Sequence, residues 1–236
     1  MPQIAIAFDV PSLDDALELD RRLGPGPELA KIGLQLYTAA GPATIRALRE
    51  RGRRVFLDLK LHDIPNTVRG AAAAASRLGP NLLTVHAMGG ADMIAAAVDG
   101  ARQAGPTEIV AVTLLTSLDP ERLPPGFARP FDSHRVLAEL LAMSVAAGAK
   151  GIVCSASDLT GIRAHHPEPF YAVTPGIRPA GLTGGDDQQR VATVTDAVRE
   201  GASLLVIGRP VTGAANPART IEALRAECQA ATLAKA

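Results

Sequence analysis

The sequence predicts a (β/α)8 barrel, the TIM-barrel α/β fold, as one domain over residues 1–236. Three observations carry that expectation. Eight short apolar runs alternate with longer alanine- and leucine-rich stretches from end to end. The length of 236 residues is close to the roughly 250 that such a barrel takes. The first run is followed by Asp9-Val10-Pro11-Ser12, not by the G-x-G-x-x-G turn that opens a dinucleotide-binding sheet.

The elements follow in order. Residues 4–8 form the first strand, with Ala5 and Ala7 on the face of Asp9 and Ile4, Ile6 and Phe8 opposite. A helical stretch follows over 12–23. The second strand, 30–34, contains Lys31 and leads to a helix over 43–51. The third strand is 55–60, with a helix over 67–78, and the fourth is 82–86, with a helix over 92–103. The fifth strand, 109–114, is separated from a helix over 135–147 by the proline-rich segment 120–132, which matches no functional motif. Strands six and seven are 151–154 and 171–174, a helix covers 191–199, the eighth strand is 204–207, and a terminal helix carries Cys228. Gly- and Pro-rich segments at 24–27, 123–130 and 179–185 read as loops inside one domain.

Composition narrows the partners. Net charge is zero with a pI near 7, which points away from nucleic acid and anionic membranes. Aromatics make up 3% and there is no tryptophan, a poor endowment for stacking on exposed bases. Cys154 and Cys228 are too few for a disulfide framework or a metal cluster and read as reduced thiols. The N-terminus has no basic region, and no apolar run approaches the roughly 18 residues of a membrane span, so a soluble cytoplasmic protein is expected.

The third strand carries the chemistry. In Val55-Phe56-Leu57-Asp58-Leu59-Lys60-Leu61, alternation gives Val55, Leu57, Leu59 and Leu61 one face, suited to lie under the outer helices. Phe56, Asp58 and Lys60 share the face that points to the barrel axis, near the C-terminal end where TIM-barrel active sites are built. A lone buried charge would cost several kcal/mol, so these two are paired or functional. Asp63 follows the strand, Lys31 lies on the second, and Asp9 ends the first. Lysine is otherwise scarce, four against twenty arginines, so its retention in two strands suggests that a compact, titratable ammonium is wanted there.

A phosphate site is the second constellation. The eighth strand runs into Gly208-Arg209-Pro210, and loops after strands seven and eight commonly bind phosphate in this fold. Glycine lets a backbone N–H approach an anion, and arginine offers a fork of donors. Thr174-Pro175-Gly176-Ile177-Arg178 opens a polar loop after strand seven that could act as a mobile lid. His86 reads as a hydrogen-bonded core residue, His62 as outside the charged cluster, and His165 and His166 as solvated loop residues. No spaced cluster implies a metal.

Asp58-Leu59-Lys60-Leu61-His62-Asp63-Ile64-Pro65-Asn66-Thr67 resembles the D-x-K-x-x-D-I-x-x-T signature of the orotidine 5'-phosphate decarboxylase family. Ala7-Phe8-Asp9, Lys31-Ile32-Gly33, the 112–117 segment, Val153-Cys154-Ser155-Ala156, Thr174 to Arg178 and Ile207-Gly208-Arg209-Pro210 resemble family segments in the same order. The resemblance implies a cofactor-free decarboxylation of orotidine 5'-phosphate to uridine 5'-phosphate in pyrimidine biosynthesis. It implies a homodimer in which Asp63, Ile64 and Thr67 reach the partner's active site. Asp58, Lys60 and Lys31 would form a charged network with that Asp63, and Lys60 would be the proton donor. Asp9 and Lys31 would contact the ribose, Thr116 the pyrimidine, and Arg178, Gln188, Gly208 and Arg209 the phosphate. Gln188 is chosen over Gln189 because it directly follows Asp187.

This chemistry suits those residues. Loss of CO2 from C6 leaves a carbanion in the ring plane, beyond the reach of the π system, and a fixed ammonium can stabilise it and then protonate it. Two other readings share parts of the pattern. One is a metal-dependent sugar-phosphate decarboxylase or aldolase, which shares D-x-K-x-x-D but not the Ile64 to Thr67 tail. The other is a phosphate-binding barrel without catalysis, which would not need Asp58, Lys60, Asp63 and Lys31 together.

Overall fold

The structure, a computed structural model, describes residues 1–26, 28–116, 131–178 and 192–235. Eight parallel strands close into a barrel. They are β1 (Gln3–Ala7), β2 (Leu29–Gly33), β3 (Arg54–Leu61), β4 (Leu82–His86), β5 (Glu108–Val112), β6 (Gly151–Val153), β7 (Tyr171–Thr174) and β10 (Leu204–Ile207). From β1 to β7 each strand pairs with the next, β7 pairs with β10, and β1 closes on β10 from Gln3↔Leu204 to Ile6↔Ile207. A two-stranded pair, β8 (Ile177–Arg178) and β9 (Ala192–Thr193), stands beside the barrel.

The helices are α1 (Leu13–Leu23), α2 (Leu34–Ala40), α3 (Pro42–Glu50), α4 (Pro65–Ser76), α5 (Gly90–Ala104), α6 (Ser133–Ala146), α7 (Ala156–His165), α8 (Val194–Arg199), α9 (Arg209–Thr212) and α10 (Pro217–Lys235). No described helix is long and apolar enough to cross a membrane.

Side-chain alternation divides the core in two. Ala5, Leu29, Phe56, Leu82, Val110, Val173 and Leu204 fill the barrel interior. Their strand neighbours, among them Ile4, Ile6, Val55, Leu57, Leu83 and Ile109, pack outward beneath the helices. The expected faces of β1 and β3 are therefore those observed.

Several boundaries differ from expectation for local reasons. Leu34, expected in β2, begins α2, and β5 ends at Val112 instead of residue 114. Pro65, a residue favoured in a first helical turn, starts α4 two residues early. Thr193 caps α8 by accepting from the Asp196 N–H at 3.0 Å, which starts that helix at Val194. His165 ends α7 instead of lying in a loop, with its Nδ1 3.0 Å from the Gly161 carbonyl, although it is exposed as expected.

Candidate active site

The strands' C-terminal ends surround a cavity of about 310 Å³. Its floor is the interior core, including Phe56, Val153, Val173 and Val206, so the barrel below is filled and the site is a cup, not a channel. The wall carries eight of the expected residues: Asp9, Lys31, Asp58, Lys60, Thr116, Arg178, Gly208 and Arg209.

The cavity lysines, Lys31 of β2 and Lys60 of β3, are each tied to a carboxylate. Lys31, buried on β2, donates to Asp9 Oδ1 at 2.7 Å across the mouth of the β1–β2 pair. Gly33 leaves the space for that pair, because a Cβ there would sit 3.0 Å from Lys31 Nζ and 3.1 Å from Asp9 Oδ1. Lys60 Nζ donates to Asp58 Oδ1 at 2.8 Å. These are two separate pairs, so within one chain Lys31 is bonded to Asp9 and not to Asp58. Both ammoniums are part-buried or buried beside an anion, the arrangement that lets charge persist away from bulk water.

Lys60 has an unusual backbone. Its φ is 52°, the only positive value among described non-glycine residues. A bulky side chain in that region costs on the order of 1–3 kcal/mol and persists only where its surroundings over-determine it. The cause lies in the β3–β4 ladder, whose register shifts between Leu57 and Leu61. The Lys60 N–H bonds the Thr84 hydroxyl at 2.8 Å in place of a backbone carbonyl. The hydroxyl in turn donates to Asp58 Oδ1 at 3.0 Å. Thr84 was not singled out by sequence, although a hydroxyl at an inward position of an apolar strand was the available signal.

The opposite wall is arginine-rich. Arg178 comes from β8, and Arg209 is the first residue of α9, directly after Gly208. Burial, and secondarily the charge of Arg209, push the Arg178 guanidinium below its ordinary range. Two cations that disfavour each other in a cavity wall are stabilised by an anion between them. Thr116 follows β5 in a loop pinned by Thr113, whose hydroxyl donates to the Val153 carbonyl at 2.9 Å. Pro175, Gly176, Ile177, Leu115 and Thr212 complete the wall and were not expected individually. Gln188 and Gln189 lie outside the described residues, as does Ser117.

Asp63, Ile64 and Thr67 do not line their own chain's cavity. All three are exposed, and Ile64 retains 67% of its accessible surface at the start of α4. Asp63 Oδ1 accepts from the Ile64 N–H at 2.6 Å, which fixes the turn that presents both. His62 stacks on His86, ring centroids 5.3 Å apart and planes within 16°. His86 is half-buried at the rim instead of in the core, and its Nδ1 accepts from the Met88 N–H at 3.3 Å. Burial first, then His62 and Lys60, hold the His86 imidazole below its ordinary value. Cys154 and Cys228 are free and buried. Among the described residues no group of three or more His, Cys, Asp or Glu is placed to hold a metal ion.

The comparisons with known proteins converge on one family. The model of the orotidine 5'-phosphate decarboxylase / HUMPS family matches residues 2–224. A protein named orotidine 5'-phosphate decarboxylase from Nitratidesulfovibrio vulgaris strain DP4 is 44% identical over 235 residues, covering 98% of this chain and 99% of its own. One of the same name from Anaeromyxobacter sp. strain K is 48% identical over 226 residues, 95% of this chain and 97% of its own. The crystal structure of orotidine 5'-phosphate decarboxylase from Lactobacillus acidophilus superposes with a TM-score of 0.83 at 34% identity, covering 96% of this chain and 98% of that one. A barrel with paired Asp58 and Lys60 on one wall and Arg178 and Arg209 on the other, alike in sequence over nearly its whole length, belongs to the orotidine 5'-phosphate decarboxylase / HUMPS family.

Proposed function

We propose that this enzyme decarboxylates orotidine 5'-phosphate to uridine 5'-phosphate and CO2 in pyrimidine biosynthesis. The observation that carries the reading is the polarity of the cup. A fixed ammonium, Lys60, stands on the inner wall, and a pair of guanidiniums, Arg178 and Arg209, stands on the other. That separation suits a substrate with a reacting centre at one end and a phosphate at the other.

In this reading the C6–carboxylate bond breaks, its electron pair stays on C6, and CO2 departs. Lys60 Nζ stabilises the developing carbanion and transfers a proton to C6, and solvent restores the lysine's proton. Asp58 holds the ammonium in place. Asp9 and Lys31 bind the ribose hydroxyls, Thr116 the pyrimidine, and Arg178, Gly208, Arg209 and Gln188 the phosphate. No step requires a cofactor.

The functional unit is a homodimer of single-domain chains, acting in the cytoplasm. Asp63, Ile64 and Thr67 cross to the partner's cavity. Their absence from their own cavity, together with the exposure of Ile64 and the 48% exposure of Met88 near the same rim, supports that assembly.

The test is the loss of orotidine 5'-phosphate ultraviolet absorbance with purified protein in EDTA. Turnover with release of uridine 5'-phosphate is expected. A folded protein that leaves orotidine 5'-phosphate intact, yet turns over a sugar phosphate when Mg2+ is added, would overturn the reading.

A further inference from the structure

Thr84 lies in the middle of β4 with none of its surface exposed. In the β3–β4 ladder, Leu57 pairs with Leu83 and Leu61 pairs with Val85. Asp58, Leu59 and Lys60 therefore stand opposite Thr84 alone. Extra residues in a bulge lose their ladder partners, and a buried N–H without a partner is costly. The Thr84 hydroxyl supplies the missing acceptor to the Lys60 N–H at 2.8 Å.

A threonine hydroxyl has one proton to give. With the Lys60 N–H directed at its oxygen, that proton goes to Asp58 Oδ1 at 3.0 Å, the same oxygen that accepts from Lys60 Nζ at 2.8 Å. A ring closes: Lys60 backbone, Thr84 hydroxyl, Asp58 carboxylate, Lys60 ammonium. It spans both ends of one side chain and surrounds the residue whose φ of 52° needs an outside constraint.

We propose that Thr84 is a positioning residue for decarboxylation, and that its hydroxyl sets where the Lys60 ammonium stands by holding the bulge and Asp58 together. The hydroxyl touches no substrate; it acts through Lys60 and Asp58. The inference rests on the decarboxylase reading above. Because charge on C6 develops only in the transition state, a misplaced ammonium should depress turnover more than ground-state binding.

The experiment compares Thr84→Val, which keeps the shape and removes the hydroxyl, with Thr84→Ser, which keeps it. Wild-type turnover of orotidine 5'-phosphate is measured first, so an inactive wild type indicts the decarboxylase reading and not Thr84. With an active wild type, Thr84→Val should lower kcat about 30-fold with KM changed by less than about threefold, while Thr84→Ser stays within about threefold of wild type in both. If Thr84→Val does not fold, Thr84→Ala against Thr84→Ser reads the same contrast, one oxygen apart. Equal kcat with and without the hydroxyl overturns the proposal, and so does a loss confined to KM. Collapse of both Val and Ala variants while Ser folds also overturns it, because the hydroxyl would then be holding the barrel and not the lysine.

Discussion

Arg209 and Lys60 occupy opposite walls of one cup, so their losses should have different signatures. Phosphate is remote from the reacting carbon, yet its binding energy can lower the barrier if gripping it drives loop closure. Arg209→Ala should therefore depress kcat/KM on orotidine 5'-phosphate by about 100-fold or more while changing turnover of the phosphate-free nucleoside far less. Steady-state kinetics on both substrates check this, and equal losses would contradict it. His86 offers a pH test. Its imidazole sits below the ordinary 6.5, so the unfolded chain takes up that proton at a higher pH than the folded one. Its contribution to stability is full above that ordinary value and falls as pH drops toward the folded one. The melting temperature should fall between about pH 7.5 and about pH 5.5, and fall less in His86→Gln. Equal falls in both proteins would assign the effect to other groups. At this scale the charged residues were legible in sequence because alternation on β3 fixes which face each side chain takes. The positive φ of Lys60 was not, because a bulge alters pairing with a neighbouring strand whose register no single segment reveals. Thr84 could be read as an inward hydroxyl on an apolar strand, but its bond to the Lys60 N–H could not, since that depends on the shifted register.

Elements place those residues. The segment from Asp63 to Thr67 is carried by the N-terminus of α4, and α4 lies closely against α5. A Cβ at Gly100 of α5 would come within 2.2 Å of the Arg69 carbonyl oxygen of α4, so the two helices touch backbone to side-chain-free backbone. Gly100→Ala should force them apart and cost about 1–3 kcal/mol, read as a lowered melting temperature. It should also weaken any assembly that depends on Ile64 and Thr67, measured by sedimentation; an unchanged melting temperature would show that α4 shifts freely. The eight strands were legible because apolar runs bounded by turns are strong signals. Helices α2 and α7 were not expected: α2 is a short continuation of β2 through Leu34, and α7 contains Gly161 and a polar first turn. A Cβ at Gly161 would come within 2.4 Å of the ring of His134, an exposed residue of α6, a contact invisible in the sequence of α7 alone. The β8–β9 pair is too short to carry a periodic signal.

At the scale of the whole molecule, the cup is incomplete in one chain if Asp63 acts on the partner's site. Mixing inactive Lys60→Ala and Asp63→Ala homodimers and allowing exchange should then restore activity. Each mixed dimer would hold one intact site, so about a quarter of all sites would recover at equal mixing. Activity that stays at the sum of the parents after verified subunit exchange would contradict a role for Asp63 in the partner's site. The family and the barrel follow from features spread over the whole sequence, which is why both were legible from it; assembly depends on how exposed surfaces such as Ile64 meet a second copy. The most direct measurement is single-turnover decarboxylation of orotidine 5'-phosphate by wild type and by Lys60→Ala, with folding of both checked by circular dichroism. Loss of about 10⁴-fold or more in the folded variant, with the nucleotide still bound, is the expected result. A folded Lys60→Ala protein that decarboxylates within about tenfold of wild type would contradict the assignment of the proton and of the carbanion's stabilisation to that ammonium.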